Sequence, residues 1–176
     1  LGVALRAQGK LDAAYDAFYK ATWSQAWHAA GYFALAELEC QRGDFAKALE
    51  FIGRSISTDA LNAKAQCLRA AVLRKLARPE EAERVASGVL ACDPLDFWAG
   101  NELYLAKVGK KAISDASKEL DAIKKKMRNA ADSYLELAVD YSNCGFLDEA
   151  IEVLSRLVES AKLSVANQLV RYYLGY

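Results

Sequence analysis

Four cysteines, one histidine and a large set of carboxylates are the side chains here that could do chemistry. Cys40, Cys67, Cys92 and Cys144 stand 27, 25 and 52 residues apart with no CxxC pair, and His28 is the single histidine. Zinc sites draw on cysteine and histidine at short spacing, and small disulfide frameworks need a higher density of cysteine, so neither is expected. Scattered cysteines of this kind point to reduced thiols and a cytoplasmic setting. His28 has no serine or cysteine partner marked out for it, and a lone histidine is more often structural than a general base. No glycine-rich phosphate loop follows a strand. The carboxylates Glu102 and Asp132 serve peptide or cation binding as readily as proton transfer. The reading is of a non-catalytic chain with no cofactor and no metal.

Charge narrows the partners. Lys plus Arg and Asp plus Glu number 23 each, so no net field favours nucleic acid or an anionic membrane surface. No apolar run reaches the roughly 18 residues a membrane helix needs. With 176 residues, 53% of them hydrophobic, the chain can bury a core as one domain or as an array of similar units. It opens on Leu1 and not on methionine, and reads as a piece of something longer.

What must position any site is a repeat. "GKLDAAYDAF" from Gly9, "GDFAKALEFI" from Gly43 and "GFLDEAIEVL" from Gly145 share a glycine, an apolar residue two places on and an alanine five places on. Stepping by 34 residues gives Ala14, Ala48, Ala82, Ala116 and Ala150 without a slip. If this alanine is position 20, position 8 is Gly2, Ala36, Ala70, Tyr104 and Ala138, and position 15 is Gly9, Gly43, Ala77, Lys111 and Gly145. Apolar residues fall three or four apart within each unit, the period of amphipathic helix, so each unit holds two helices. The glycine near position 15 lies between them, and the small residues let the two helices approach closely. Pro79 early in a second helix and Asp93-Pro94 between units suit helix starts and turns.

These motifs, "LGVAL…GKLDAAYDAF", "YFALAELE…GDFAKALEFI", "LRAAVL…ARPEEAERVA…DP" and "YLELAVDY…GFLDEAIEVL", resemble the tetratricopeptide repeat. The resemblance implies an all-α, right-handed α-solenoid of stacked antiparallel helix pairs, about five 34-residue units in a single domain. The units run 1–28 (partial), 29–62, 63–96, 97–130 (divergent) and 131–164, with 165–176 starting a further helix. In the divergent unit Gly100, Lys107 and Lys111 replace the family's large, aromatic and glycine residues, and its inter-helix turn is expected to be irregular. A 34-residue period also separates the chain from the 35-residue pentatricopeptide code for RNA.

The same resemblance implies a concave groove lined by first helices. Read onto this chain, its partner-binding candidates are Phe33, Glu37 and Gln41, then Lys64, Cys67 and Arg74, then Trp98, Asn101 and Glu102, then Asp132, Glu136 and Asn143. The groove is basic in the third unit and acidic in the fourth and fifth. The clamp by which chaperone-binding members hold a C-terminal carboxylate has no matching set here, so such tails are not expected to bind. Trp98 reads either as an aromatic anchor or as a large residue packed between units. Trp23 and Trp27 are expected to wedge against the next helix pair, and Lys124, Lys125 and Lys126 to lie on a solvated face. The expected function is a protein interaction scaffold for a peptide, a helix or a neighbouring domain of the same chain. The alternative is a structural arm of a larger bacterial carbohydrate-binding or carbohydrate-processing protein, because "LGVALRAQGKLDAAYDAFYKATW" and "DPLDFWAGNEL" are similar to repeat regions that follow a carbohydrate-associated β-sandwich. Leu169, Tyr172, Tyr173 and Tyr176 would leave an apolar face for end-to-end association.

Overall fold

The computed structural model describes residues 1–160 together with Tyr172 and Gly175. Among the described residues there are ten α-helices: α1 (Gly2–Ala7), α2 (Leu11–Ala21), α3 (His28–Arg42), α4 (Phe45–Thr58), α5 (Ala63–Lys75), α6 (Pro79–Cys92), α7 (Phe97–Gly109), α8 (Ile113–Met127), α9 (Ala131–Asn143) and α10 (Leu147–Ser160). They pack as adjacent pairs, α1 on α2 through α9 on α10, stacked into an all-α solenoid. The further helix expected at 165–176 lies outside the described residues except for Tyr172, which is exposed, and Gly175, and so does most of the apolar end face. No described helix is long and apolar enough to cross a membrane.

One hydrogen bond repeats in all five pairs. Lys10, Asp44, Arg78, Ala112 and Phe146 each donate a backbone N–H to the carbonyl five residues back, at 2.9 to 3.0 Å. This closes the first helix and needs a left-handed residue just before the donor. That residue is Gly9, Gly43, Ala77, Lys111 or Gly145, with φ between 56° and 79°. The turn of the divergent pair is therefore regular, contrary to expectation: Lys111 adopts φ 60° and makes the same turn that glycine makes elsewhere. The stacked bundle outweighs the local cost of a left-handed lysine.

Close packing explains the small positions. Ala14, Ala48, Ala82, Ala116 and Ala150 are all buried. A Cβ on Gly2 would fall 2.6 Å from the Phe18 ring, so only glycine fits where α1 meets α2. In the α7–α8 pair the close contact moves: Tyr104 stands at the usual small position, and Gly100, one turn earlier, makes room for Ile123, whose Cγ1 would lie 3.2 Å from an added Cβ.

Two expectations about aromatic residues are corrected. Trp23 and Trp27 are exposed at 75% and 64% and do not wedge between pairs. A short 3-10 turn, Gln25–Trp27, none of whose residues is buried, joins α2 to α3 there. The adjoining contact is made by His28, whose Nδ1 lies 2.9 Å from Thr58 Oγ1 and whose ring meets Tyr32 edge-on. Lys124, Lys125 and Lys126 are exposed, as expected, with Lys126 Nζ donating to the Pro94 carbonyl.

Candidate functional site

The face formed by the first helices α3, α5, α7 and α9 gathers the expected groove residues, but the chain itself engages most of them. Capping sets where α5 and α7 begin: Asn62 accepts from Ala65 N and Asp96 from Ala99 N, which fixes Lys64 and Trp98 just inside each helix start. From there a polar chain crosses the face. Lys75 Nζ and Arg74 Nη1 both reach Glu149 Oε1, at 2.6 and 2.9 Å. Arg74 also holds Glu102 with two nitrogens, Nε at 2.9 Å and Nη2 at 3.2 Å. Tyr141 donates its hydroxyl to Glu102 and accepts from Asn101 Nδ2, and Arg156 Nη1 donates to Asn101 Oδ1.

The electrostatics follow from burial. Glu102 is fully buried, and the Arg74 fork and the Tyr141 hydroxyl replace the water its carboxylate oxygens have lost. Burial acts to lower the Arg74 pKa, but the Glu102 and Glu149 carboxylates outweigh it and the guanidinium is held more firmly charged. Burial acts to raise the Glu149 pKa, and Lys75 and Arg74 bring it below its ordinary value. Burial and the neighbouring Glu102 charge push the Tyr141 phenol well up, so it stays a neutral donor. Glu37 shows the reverse balance: desolvation raises its pKa despite its ion pair with Arg6.

The remaining candidates sort by exposure. Cys67 and Trp98 are buried in the core, with Trp98 edge-on to Tyr141 at 5.8 Å, which selects the packing reading for its ring. Gln41 and Asn143 are half-buried and meet each other: Gln41 Nε2 donates to the Asn143 carbonyl at 2.7 Å. Phe33 is half-buried against the core. Lys64, Asp132 and Glu136 are exposed, and Lys64 pairs with Asp140 at 2.8 Å. The carboxylates Glu102 and Asp132 do not share an environment, one being buried and the other exposed on the first turn of α9. Sequence reasoning missed Asp140, Tyr141, Glu149 and Arg156. Tyr141 alone carried a signal, because an aromatic residue at position 11 is part of the repeat pattern.

An open cleft of about 210 Å³ remains beside this network. Its walls include Lys64, Asp96, Trp98, Glu136 and Asp140, from the starts of α5 and α7 and from α9. The arrangement can hold hydrogen-bonding and cationic groups of a ligand. Among the described residues no cluster of histidine, cysteine and carboxylate could hold a metal ion.

Stacked antiparallel helix pairs with a first-helix face of this kind define the tetratricopeptide-repeat type of α-solenoid, and solved structures of that type are what the chain resembles. A tetratricopeptide repeat protein from Parabacteroides merdae ATCC 43184 superposes with a TM-score of 0.70 at 17% identity, covering 97% of this chain and 67% of that one. MamA from Desulfovibrio magneticus RS-1, residues 41 to the end, gives 0.66 at 16% identity, covering 90% and 89%. YrrB, described as a TPR protein with an unusual peptide-binding site, gives 0.62 at 15% identity, covering 97% and 88%. At these identities the likeness shows the fold alone. No family model matches the chain, and no curated protein matches it.

Proposed function

We propose that the chain is a protein interaction scaffold that binds a peptide, a helix or a neighbouring domain across its first-helix face. The observation that carries this reading is the open cleft at which Lys64, Trp98 and Glu136 converge from three consecutive helix pairs. A peptide-binding site in YrrB, a protein of the same fold, supports it. In this reading Lys64, Asp132, Glu136 and Phe33 touch the partner. Glu37, Gln41, Cys67, Arg74, Trp98, Asn101, Glu102 and Asn143 shape the face beneath. We infer also that the 34-residue units run 29–62, 63–96, 97–130 and 131–164, with 1–28 a partial unit and 165–176 beginning another.

The test is affinity capture with the wild-type chain and with Asp132→Lys/Glu136→Lys, two exposed residues whose replacement leaves the core intact. Proteins retained by the wild type and lost from the variant are the expected result. An identical captured set for both would remove this face from the account.

A further inference from the structure

The α9–α10 pair sits differently from the others. α2 lies along α3, α4 along α5 and α6 along α7, whereas α8 and α9 barely touch. The junction ahead of α9 differs from the two before it in four residues. The two preceding junctions read Asp59-Ala60-Leu61-Asn62 and Asp93-Pro94-Leu95-Asp96, each ending in a side-chain cap. The corresponding stretch here is Met127-Arg128-Asn129-Ala130, which has no cap. α8 runs on through the buried Met127, and Arg128 and Asn129 then both take positive φ, 52° and 56°. Two successive non-glycine residues in that region turn the chain sharply.

The turned pair lands on α3, α5 and the start of α4. The Gly145 turn rests on α3, where an added Cβ would lie 3.1 Å from Gln41 Cα. Phe146 packs on Phe45 at 6.1 Å and lies beneath Lys75 Nζ at 5.0 Å. The surface side contributes Gln41, Lys64, Arg74 and Lys75, all donors and three of them cations. The arriving side contributes the Asp140 carboxylate, the Asn143 carbonyl, the Phe146 ring and the Glu149 carboxylate. Charge complementarity of this sort sets orientation and partner choice at an interface.

We propose that the face made by α3, α5 and α7 is a docking surface for an acidic segment bearing an aromatic residue, and that α9–α10 occupies it in cis about a pivot at Arg128–Asn129. A partner segment of the same chemistry competes with the cis pair. The proposal rests on the scaffold reading for the existence of a partner, and the pivot stands independently of it.

Thiol chemistry reads the pivot. Cys40 and Cys144 are buried where α3 meets the α9–α10 turn, while Cys92 is exposed. In the docked chain only Cys92 should react quickly with Ellman's reagent, because reaction needs an accessible thiolate. Asp140→Lys/Glu149→Lys sets like charges against Lys64, Arg74 and Lys75, and is expected to raise the reaction rate of Cys40 and Cys144 roughly ten-fold or more, with helicity by circular dichroism unchanged. Because Glu149 is buried, Asp140→Lys alone, and its swap partner Lys64→Asp/Asp140→Lys, provide the second measurement: the single change speeds the reaction and the swap slows it again. A labelled peptide of residues 139–152 should then bind the Asp140→Lys/Glu149→Lys chain more tightly than the wild type by fluorescence anisotropy. Unchanged thiol rates, rates that rise only with loss of helicity, or a swap that fails to restore protection would each overturn the pivot. Exposed thiols with no gain in peptide binding would overturn the docking surface and leave the scaffold reading to the capture experiment.

Discussion

Lys111 and Ala77 stand in left-handed backbone at the position where Gly9, Gly43 and Gly145 stand in the other pairs. A left-handed side chain costs about 1 kcal/mol, part of which is offset because glycine loses more entropy on folding. Both residues are exposed, so replacing either removes no buried contact. Lys111→Gly and Ala77→Gly should each stabilise the chain by about 0.5 kcal/mol, read as a higher urea midpoint at unchanged slope. The same φ at all five positions shows that the turn belongs to the helix pair and not to the glycine. That explains why substitution at Lys111 suggested an irregular turn when none exists. Legibility failed there because residue type reports the ease of a conformation, while the packed pair decides whether it is adopted.

Side-chain caps start α4, α5 and α7, at Asp44, Asn62 and Asp96, and the junction ahead of α9 lacks the cap that the two junctions before it carry. Ala130 has φ −73° and ψ 112°, close to the φ −66° and ψ 96° of Asn62, so the backbone at the start of α9 is already that of a capped helix. Only the acceptor is missing. Ala130→Asp should therefore add about 0.5 to 1 kcal/mol of stability, whereas Asn62→Ala should cost about 1 kcal/mol, both measurable by thermal or urea unfolding. The existence and order of the helix pairs could be read from the 34-residue period, since Ala14 through Ala150 are all buried as their spacing requires. Relocation of the close contact from position 8 to Gly100 in the α7–α8 pair could not, because it depends on Ile123 filling that space from the facing helix.

Across the whole molecule, the basic third unit and the acidic fourth and fifth do not remain opposed across an open groove; they neutralise one another inside the fold. Arg74 joins Glu102 to Glu149, Lys75 adds to Glu149, and Lys64 meets Asp140 near the surface. Burial makes these pairs unequal. Arg74→Met strands the fully buried Glu102 and should cost about 3 to 5 kcal/mol, while Lys64→Met, removing an exposed pair, should cost no more than about 1 kcal/mol. Urea denaturation of the two variants side by side checks the ordering; equal losses would mean that the polar chain is not holding α5, α7 and α10 together.

Taken alone, the sequence determined that this chain makes helix pairs, where each pair turns, and that the alanines spaced 34 residues apart are buried. All of these are set within about 34 residues by helical period, caps and steric room. Tertiary structure decided what becomes of the face those pairs create. Gln41 meets Asn143 across 102 residues and Lys64 meets Asp140 across 76, contacts made by a helix pair that follows the left-handed residues Arg128 and Asn129. A change of direction at two residues is carried by backbone torsion and has no periodic trace, and the helices that follow it bury Glu102 and Asn101 against Tyr141 and Arg156.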